Sequence, residues 1–457
     1  MPLDYRCDYF TDKNCKLILK VAALIAFFFL FALGPKEYPD TAEYINGGLV
    51  LPTLYPIVID VFRIVFKGYY GYGMMAFQLV FGGWAVYFIS RFIARLYSLP
   101  PCALLILVAL IASPYFGITI QTGNALLTEG LAYPLFLFAT VYLLDGVTSL
   151  SFRSIIVFIL LSALLVLTRK QFAFMFPIGL IAIIYYAFKT DARKGAAYLS
   201  LLLVVSWGAE NFIERANNYF RSGQFASFSY AGGLLLGNAI YISKQSDINA
   251  IQDKQQALFF QEIYNESSRK RLTLESLEDV EKDLDVNFYG QYFINYHNLI
   301  NVGKVALNKV YSSEMRTEVE RAIVTDSESK KLAMTLIREN PKSYAKLYFL
   351  NVTYGLGGHG IGDGYGVRGS YFAILQLVMV LLVLAHSIRI RRVDPLASSV
   401  LLIFLLHLAS VAETAILLPV GDRYSFYTST LMMAIIFAFV AKGVEAKMPD
   451  PGSPSKD

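Results

Sequence analysis

The sequence predicts an all-α polytopic membrane protein of about ten transmembrane helices, with an interfacial helix in the first outer loop and a mostly helical water-facing insertion. Three observations predict it. Hydrophobic residues fill 56% of the 457 positions and charged residues only 16%, far from the balance of a soluble globular domain. The charges are segregated, so that long apolar runs alternate with short basic loops while one polar block holds much of the Asp and Glu. The apolar runs also approach the ~20 residues that a helix needs to cross a hydrocarbon core.

The first run, Leu17 to Leu33, follows a polar start and is followed by Gly34-Pro35-Lys36-Glu37, without a small-x-small cleavage pattern. It reads as a retained signal anchor. Spans are expected at 16–33, 74–96, 101–119, 125–144, 152–168, 171–188, 195–213, 370–388, 395–413 and 424–441. Basic residues in short loops then orient the chain. With a cytoplasmic N-terminus, the inner loops carry Arg91 and Arg95, Arg153, Lys189 with Arg193 and Lys194, the cluster Arg389, Arg391 and Arg392, and Lys442 with Lys447. Both termini are then cytoplasmic and the large block is periplasmic. The expected organisation is an N-terminal transmembrane module over 1–213 with its first outer loop at 35–73, an insertion over 214–369, C-terminal helices over 370–441 and a disordered tail over 442–457.

The net charge of +5 sits at membrane flanks, where Lys and Arg meet lipid headgroups, and gives nucleic-acid binding no support. The three cysteines, Cys7, Cys15 and Cys102, make no disulfide framework and have no metal-ligand spacing; the orientation puts Cys7 and Cys15 in a reducing cytoplasm. Within the insertion, 250–285 and 312–340 have mixed charge at helical spacing. It closes on Gly355-Leu356-Gly357-Gly358-His359-Gly360-Ile361-Gly362-Asp363-Gly364-Tyr365-Gly366, a run expected to be irregular.

The first outer loop carries the clearest pattern. Tyr38-Pro39-Asp40-Thr41-Ala42-Glu43 follows the first helix, and Leu51-Pro52-Thr53-Leu54-Tyr55-Pro56 leads into 57–66. There Asp60, Arg63 and Lys67 share one helical face and apolar residues fill the rest, so the segment should lie along the membrane surface.

This acid after the first span, the Pro- and Tyr-containing turn and the interfacial helix resemble the GT-C superfamily of polyprenyl-phosphate-sugar glycosyltransferases, which includes protein mannosyltransferases and aminoarabinose transferases. Other landmarks are similar and in order: Leu126-Leu127-Thr128-Glu129, Thr168-Arg169-Lys170, Ala231-Gly232-Gly233-Leu234 and Gly421-Asp422-Arg423-Tyr424. The chain departs from relatives that carry an adjacent acidic pair, because two residues separate Asp40 and Glu43. The resemblance implies a bacterial inner membrane enzyme, a lipid-linked sugar donor, and a glycan, lipid or protein acceptor. A divalent metal is left open, and no metal ligands are assigned.

Such a transfer needs a base for the acceptor hydroxyl, cations for the leaving phosphate and a path for the lipid tail. Asp40 is the candidate base, with Glu43 and Glu129 as further catalytic acids. Arg169, Lys170 and Arg423 are candidates for the donor phosphate. His359 and Asp363 would belong to a mobile glycine-rich loop. Each has a plainer reading: Asp40 as a helix N-cap, the cations as interfacial anchors, Glu129 as a helix-start carboxylate. Two other functions share the pattern, namely a polysaccharide polymerase or ligase and a non-enzymatic transporter or flippase of lipid-linked sugars. A transporter usually places charges near mid-membrane and shows repeat symmetry, whereas the candidate charges here flank the spans and no internal repeat is seen.

Overall fold

A backbone inside hydrocarbon has only itself to hydrogen-bond, and each of the ten apolar runs is a helix. The computed structural model describes residues 12–46, 48, 51–116, 122–278, 284–357, 367–389, 395–420 and 422–445. The N-terminal part comprises α1 (Asp12–Leu33), α2 (Pro39–Asn46), α3 (Leu54–Phe66), α4 (Tyr70–Leu96), α5 (Pro101–Ala112), α6 (Glu129–Thr148), α7 (Phe152–Thr168), α8 (Met175–Thr190) and α9 (Arg193–Ser222). The insertion contributes α10 (Ala231–Ile242), α11 (Lys254–Arg269), α12 (Leu274–Glu278), α13 (Leu284–Tyr311), α14 (Glu318–Glu339) and α15 (Pro341–Gly357). The chain then returns through α16 (Val367–Arg389), α17 (Pro395–Leu417) and α18 (Asp422–Glu445). Among the described residues the only strand-like pairing is a parallel bridge between Lys36 and Ala125.

The protein is an all-α polytopic membrane protein. Among the described residues, seven stretches are long and apolar enough to cross a membrane: Lys13–Leu33, Leu54–Leu96, Glu129–Thr148, Lys170–Thr190, Arg193–Ser222, Pro395–Leu417 and Ser425–Lys442. The other expected spans contain shorter apolar helices, Pro101–Phe116, Phe152–Thr168 and Ala373–Ala385. Within Leu54–Leu96 the chain breaks at Lys67, whose φ of 48° ends α3. That break leaves α3 as a separate helix with Ile57, Val61, Ile64 and Val65 exposed, as a membrane-surface helix requires.

Packing centres on α6. Of its most apolar stretch 89% is buried, against 6% for α1, so α6 is the axis of the bundle and α1 lies at its edge. Helices α4, α7, α8 and α17 surround it. A tight hairpin joins α6 to α7, where Ser151 caps α7 and the Ser154 hydroxyl donates to Asp145 at 2.5 Å.

The insertion has its own core, in which α10 packs against α13 and α14. The Ala231–Leu236 landmark starts α10. Its Gly232 N–H donates to the Asp326 carboxylate at 2.7 Å, and a Cβ on Gly232 would lie 2.1 Å from the Asp326 carbonyl oxygen. The start of α14 is closed by a reciprocal box between Thr317 and Glu320. The insertion is fastened to the bundle through the last turn of α17. Asn238 and Tyr344 donate to the Ile416 carbonyl, and Tyr296 donates to Leu417. Those carbonyls have no partner within a helix end, so polar side chains satisfy them.

Three expectations are displaced. The boundary expected at 213/214 falls inside α9, which continues to Ser222. The span expected from 125 begins at Glu129, because 122–128 pairs with the first outer loop. Gly355-Leu356-Gly357, expected to be irregular, completes α15, because Gly355 sits where a Cβ would lie 2.6 Å from Val411 and 2.7 Å from Val420. The rest of that glycine-rich run and the tail from 446 onward lie outside the described residues.

Candidate functional site

A seam of hydrogen bonds brings the first outer loop to the start of α6. Lys36 N–H donates to Asn124 and Leu126 N–H to Lys36, at 2.8 and 3.0 Å. The Asn124 side chain donates to the Gly34 carbonyl, and the Thr41 hydroxyl donates to the Leu126 carbonyl at 2.8 Å. Thr41 also accepts from Tyr38 N–H at 3.0 Å. Thr41 therefore serves the start of α2. Asp40 lies half-buried in the first turn, where the helix dipole favours a negative charge.

Glu129 is the first residue of α6 and is fully buried. It accepts from the Thr128 hydroxyl at 3.1 Å and pairs with Arg169 at 2.5 Å. Arg169 ends α7 in extended conformation, and its side chain keeps 11% of its surface exposed. The acid is at a helix start and the base at a helix end, so both dipoles reinforce the pair. Tyr44 of α2 lies against this pair. Its phenol is pushed up to about 12, first by burial and then by the Glu129 charge, with Arg169 and a hydrogen bond with Thr128 acting the other way and Asp40 adding to the rise. One phenol thus feels Asp40, Glu129 and Arg169 together. Below it, the Tyr44 and Tyr55 rings are 5.2 Å apart and Gln78 donates to the Tyr55 oxygen at 3.1 Å.

Lys170 belongs to a second group. Its ammonium pairs with Glu214 at 2.5 Å and donates to the Ser227 hydroxyl at 2.8 Å and the Phe228 carbonyl at 3.4 Å. An ammonium has three donors, and Lys170 directs all three into the protein. Ser227 in turn donates to Glu214. Glu210 is buried one turn before Glu214 on α9. Lys170 therefore ties the α7–α8 connection to α9. The same connection is held at its other end by Glu413 of α17, which accepts from Phe174 N–H at 3.1 Å.

Glu43 is exposed and acts on Tyr230, whose phenol is raised by burial first and by Glu43 second. The loop is also reached from α9, where Arg221 donates to the Gly48 carbonyl at 3.2 Å. On α3, Arg63 and Asp60 make an exposed pair at 3.4 Å. Arg423 falls in the first turn of α18, but its side chain is not among those described, and His359 and Asp363 lie outside the described residues. Among the described residues, no three His, Cys, Asp or Glu side chains gather as metal ligands.

No family model matches the chain, and no curated protein or solved structure matches it. The chemistry of the site therefore rests on its own residues. Asp40, Glu129 and Arg169 converge at one end of the bundle, with Lys170 in the connection directly after Arg169, while Glu43 faces Tyr230. Sequence reasoning missed Tyr44, Glu210, Glu214 and Glu413. Three of them left a signal: Glu210 and Glu214 lie four apart where the apolar run of α9 ends, and Glu413 is a lone acid in an apolar run. Tyr44 left none among 31 tyrosines.

Proposed function

We propose that the chain is a membrane glycosyltransferase that moves a sugar from a polyprenyl-phosphate donor to a glycan, lipid or protein acceptor. The observation that supports this most is the seam between residues 34–41 and 122–128, which sets a half-buried carboxylate, Asp40, beside the Glu129–Arg169 pair. In this reading Asp40 takes the proton of the acceptor hydroxyl. The acceptor oxygen bonds to the anomeric carbon from the opposite side as the bond from that carbon to the phosphate oxygen breaks. Polyprenyl phosphate leaves with the bonding pair, and configuration inverts. Arg169 is held rigidly by Glu129, so its charge is preorganised near the site. Lys170 acts chiefly by fixing the connection that presents Arg169, and Arg423 is assigned to the phosphate. The site faces the periplasm of a bacterial inner membrane, with both termini in the cytoplasm.

The test is reconstitution of the purified chain in liposomes with a set of radiolabelled polyprenyl-phosphate sugars. Release of polyprenyl phosphate together with labelled acceptor is expected. Label that crosses the bilayer with its phosphate bond intact would instead make the protein a transporter.

A further inference from the structure

Helix α15 changes character along its length. Lys342 and Lys346 are exposed near its start, and no charged residue follows through Gly357. Successive positions meet α17 at increasing depth: Tyr344 donates to the Ile416 carbonyl at 2.9 Å, Asn351 donates to Ala415 at 3.4 Å, and the Leu356 carbonyl faces His407 Nε2 at 3.5 Å. His407 lies about 15 Å from the outer end of α17 at the α-helical rise, roughly half the thickness of a hydrocarbon core. Gly355 lets α15 approach Val411 and Val420 more closely than a side chain would permit, as small residues do between membrane helices.

We propose that α15 is a re-entrant helix. Its second half, 347–357, lies in the leaflet on the insertion's side of the membrane, packed on α16 and α17 with Phe349 and Thr353 facing acyl chains. A helix that ends in hydrocarbon must have its last carbonyls satisfied. Here Gln376 donates to the Leu356 carbonyl at 2.8 Å and His407 is aimed at the same oxygen. The side chains agree with this placement: Phe349 is 65% exposed, and exposed Thr353 donates its hydroxyl inward to the Phe349 carbonyl at 2.8 Å. The face is continuous with the apolar helix α16 and with α17, which is long and apolar enough to cross a membrane, and this selects lipid over a second protein as its occupant. The water-facing insertion then ends near Lys346.

Spin labels on Lys342→Cys, Phe349→Cys, Thr353→Cys and Val305→Cys, each in the chain with its three cysteines changed to serine, test this in lipid nanodiscs. Oxygen should relax the labels at 349 and 353 more than a water-soluble nickel chelate does, and the reverse should hold at 342 and 305. Equal or greater nickel accessibility at 349 and 353 would put α15 in water and overturn the proposal. The unaltered chain gives a second reading, free of any folding defect in the variants. An apolar photoactivated label dissolved in the bilayer should modify the peptide containing Phe349, and its absence there, with labelling on α17, would equally overturn it.

Discussion

The Glu129–Arg169 pair is the residue on which site and stability meet. A buried ion pair is costly to break one-sidedly, because the partner is left charged and desolvated. Glu129→Ala should therefore lower unfolding stability by about 3–5 kcal/mol, measured by denaturant titration in detergent. The double variant Glu129→Leu/Arg169→Met should restore most of that loss and still abolish sugar transfer. If the double variant is as active as the native chain, the pair is structural only. The sequence offered both residues as candidates through the landmarks of the resemblance, Leu126-Leu127-Thr128-Glu129 and Thr168-Arg169-Lys170. It could not show that they face each other, since that depends on the tight α6–α7 hairpin. Nor could it show that the Thr41 hydroxyl bonds both at the start of α2 and to the Leu126 carbonyl, a matter of side-chain direction.

At the scale of elements, helix existence was legible and helix ends were not. Ten apolar runs became ten helices because hydrocarbon leaves no alternative, whereas the start of α6 shifted inward where the loop seam competed for backbone groups. Helix α10 shows how packing assigns different roles to neighbours. A Cβ on Gly232 meets the Asp326 carbonyl, while one on Gly233 meets nothing within 4 Å. Gly232→Ala should cost about 1–3 kcal/mol through overpacking, and Gly233→Ala should be neutral or stabilising by up to about 1 kcal/mol through helix propensity. Thermal unfolding of the two variants side by side checks this. Equal effects would mean that α10 does not pack on α14 as described.

For the whole molecule, the all-α polytopic class followed from composition and charge segregation alone, but the place where the bundle ends and the insertion begins did not. Helix α9 carries the bundle past the expected boundary, and the last turn of α17 is closed by side chains of the insertion, so the two parts share an interface that no local sequence pattern marks. Orientation can be checked directly. A membrane-impermeant maleimide applied to intact cells should label Val305→Cys on the insertion and leave native Cys102, at the start of α5, unlabelled. The opposite result would invert the topology and move the site to the cytoplasmic side.

Asp40 is proposed to accept the acceptor proton in a transfer from a lipid-linked sugar. The most direct measurement compares the native chain with Asp40→Asn for sugar transfer from a radiolabelled polyprenyl-phosphate donor in reconstituted membranes, with thermal unfolding followed in parallel. The substitution is nearly isosteric at a half-buried position, so stability should change by less than about 1 kcal/mol. Transfer should fall by about 10²–10⁴-fold, the usual contribution of a general base. Full transfer by Asp40→Asn, with the native chain active under the same conditions, would remove Asp40 from the chemistry and contradict the account.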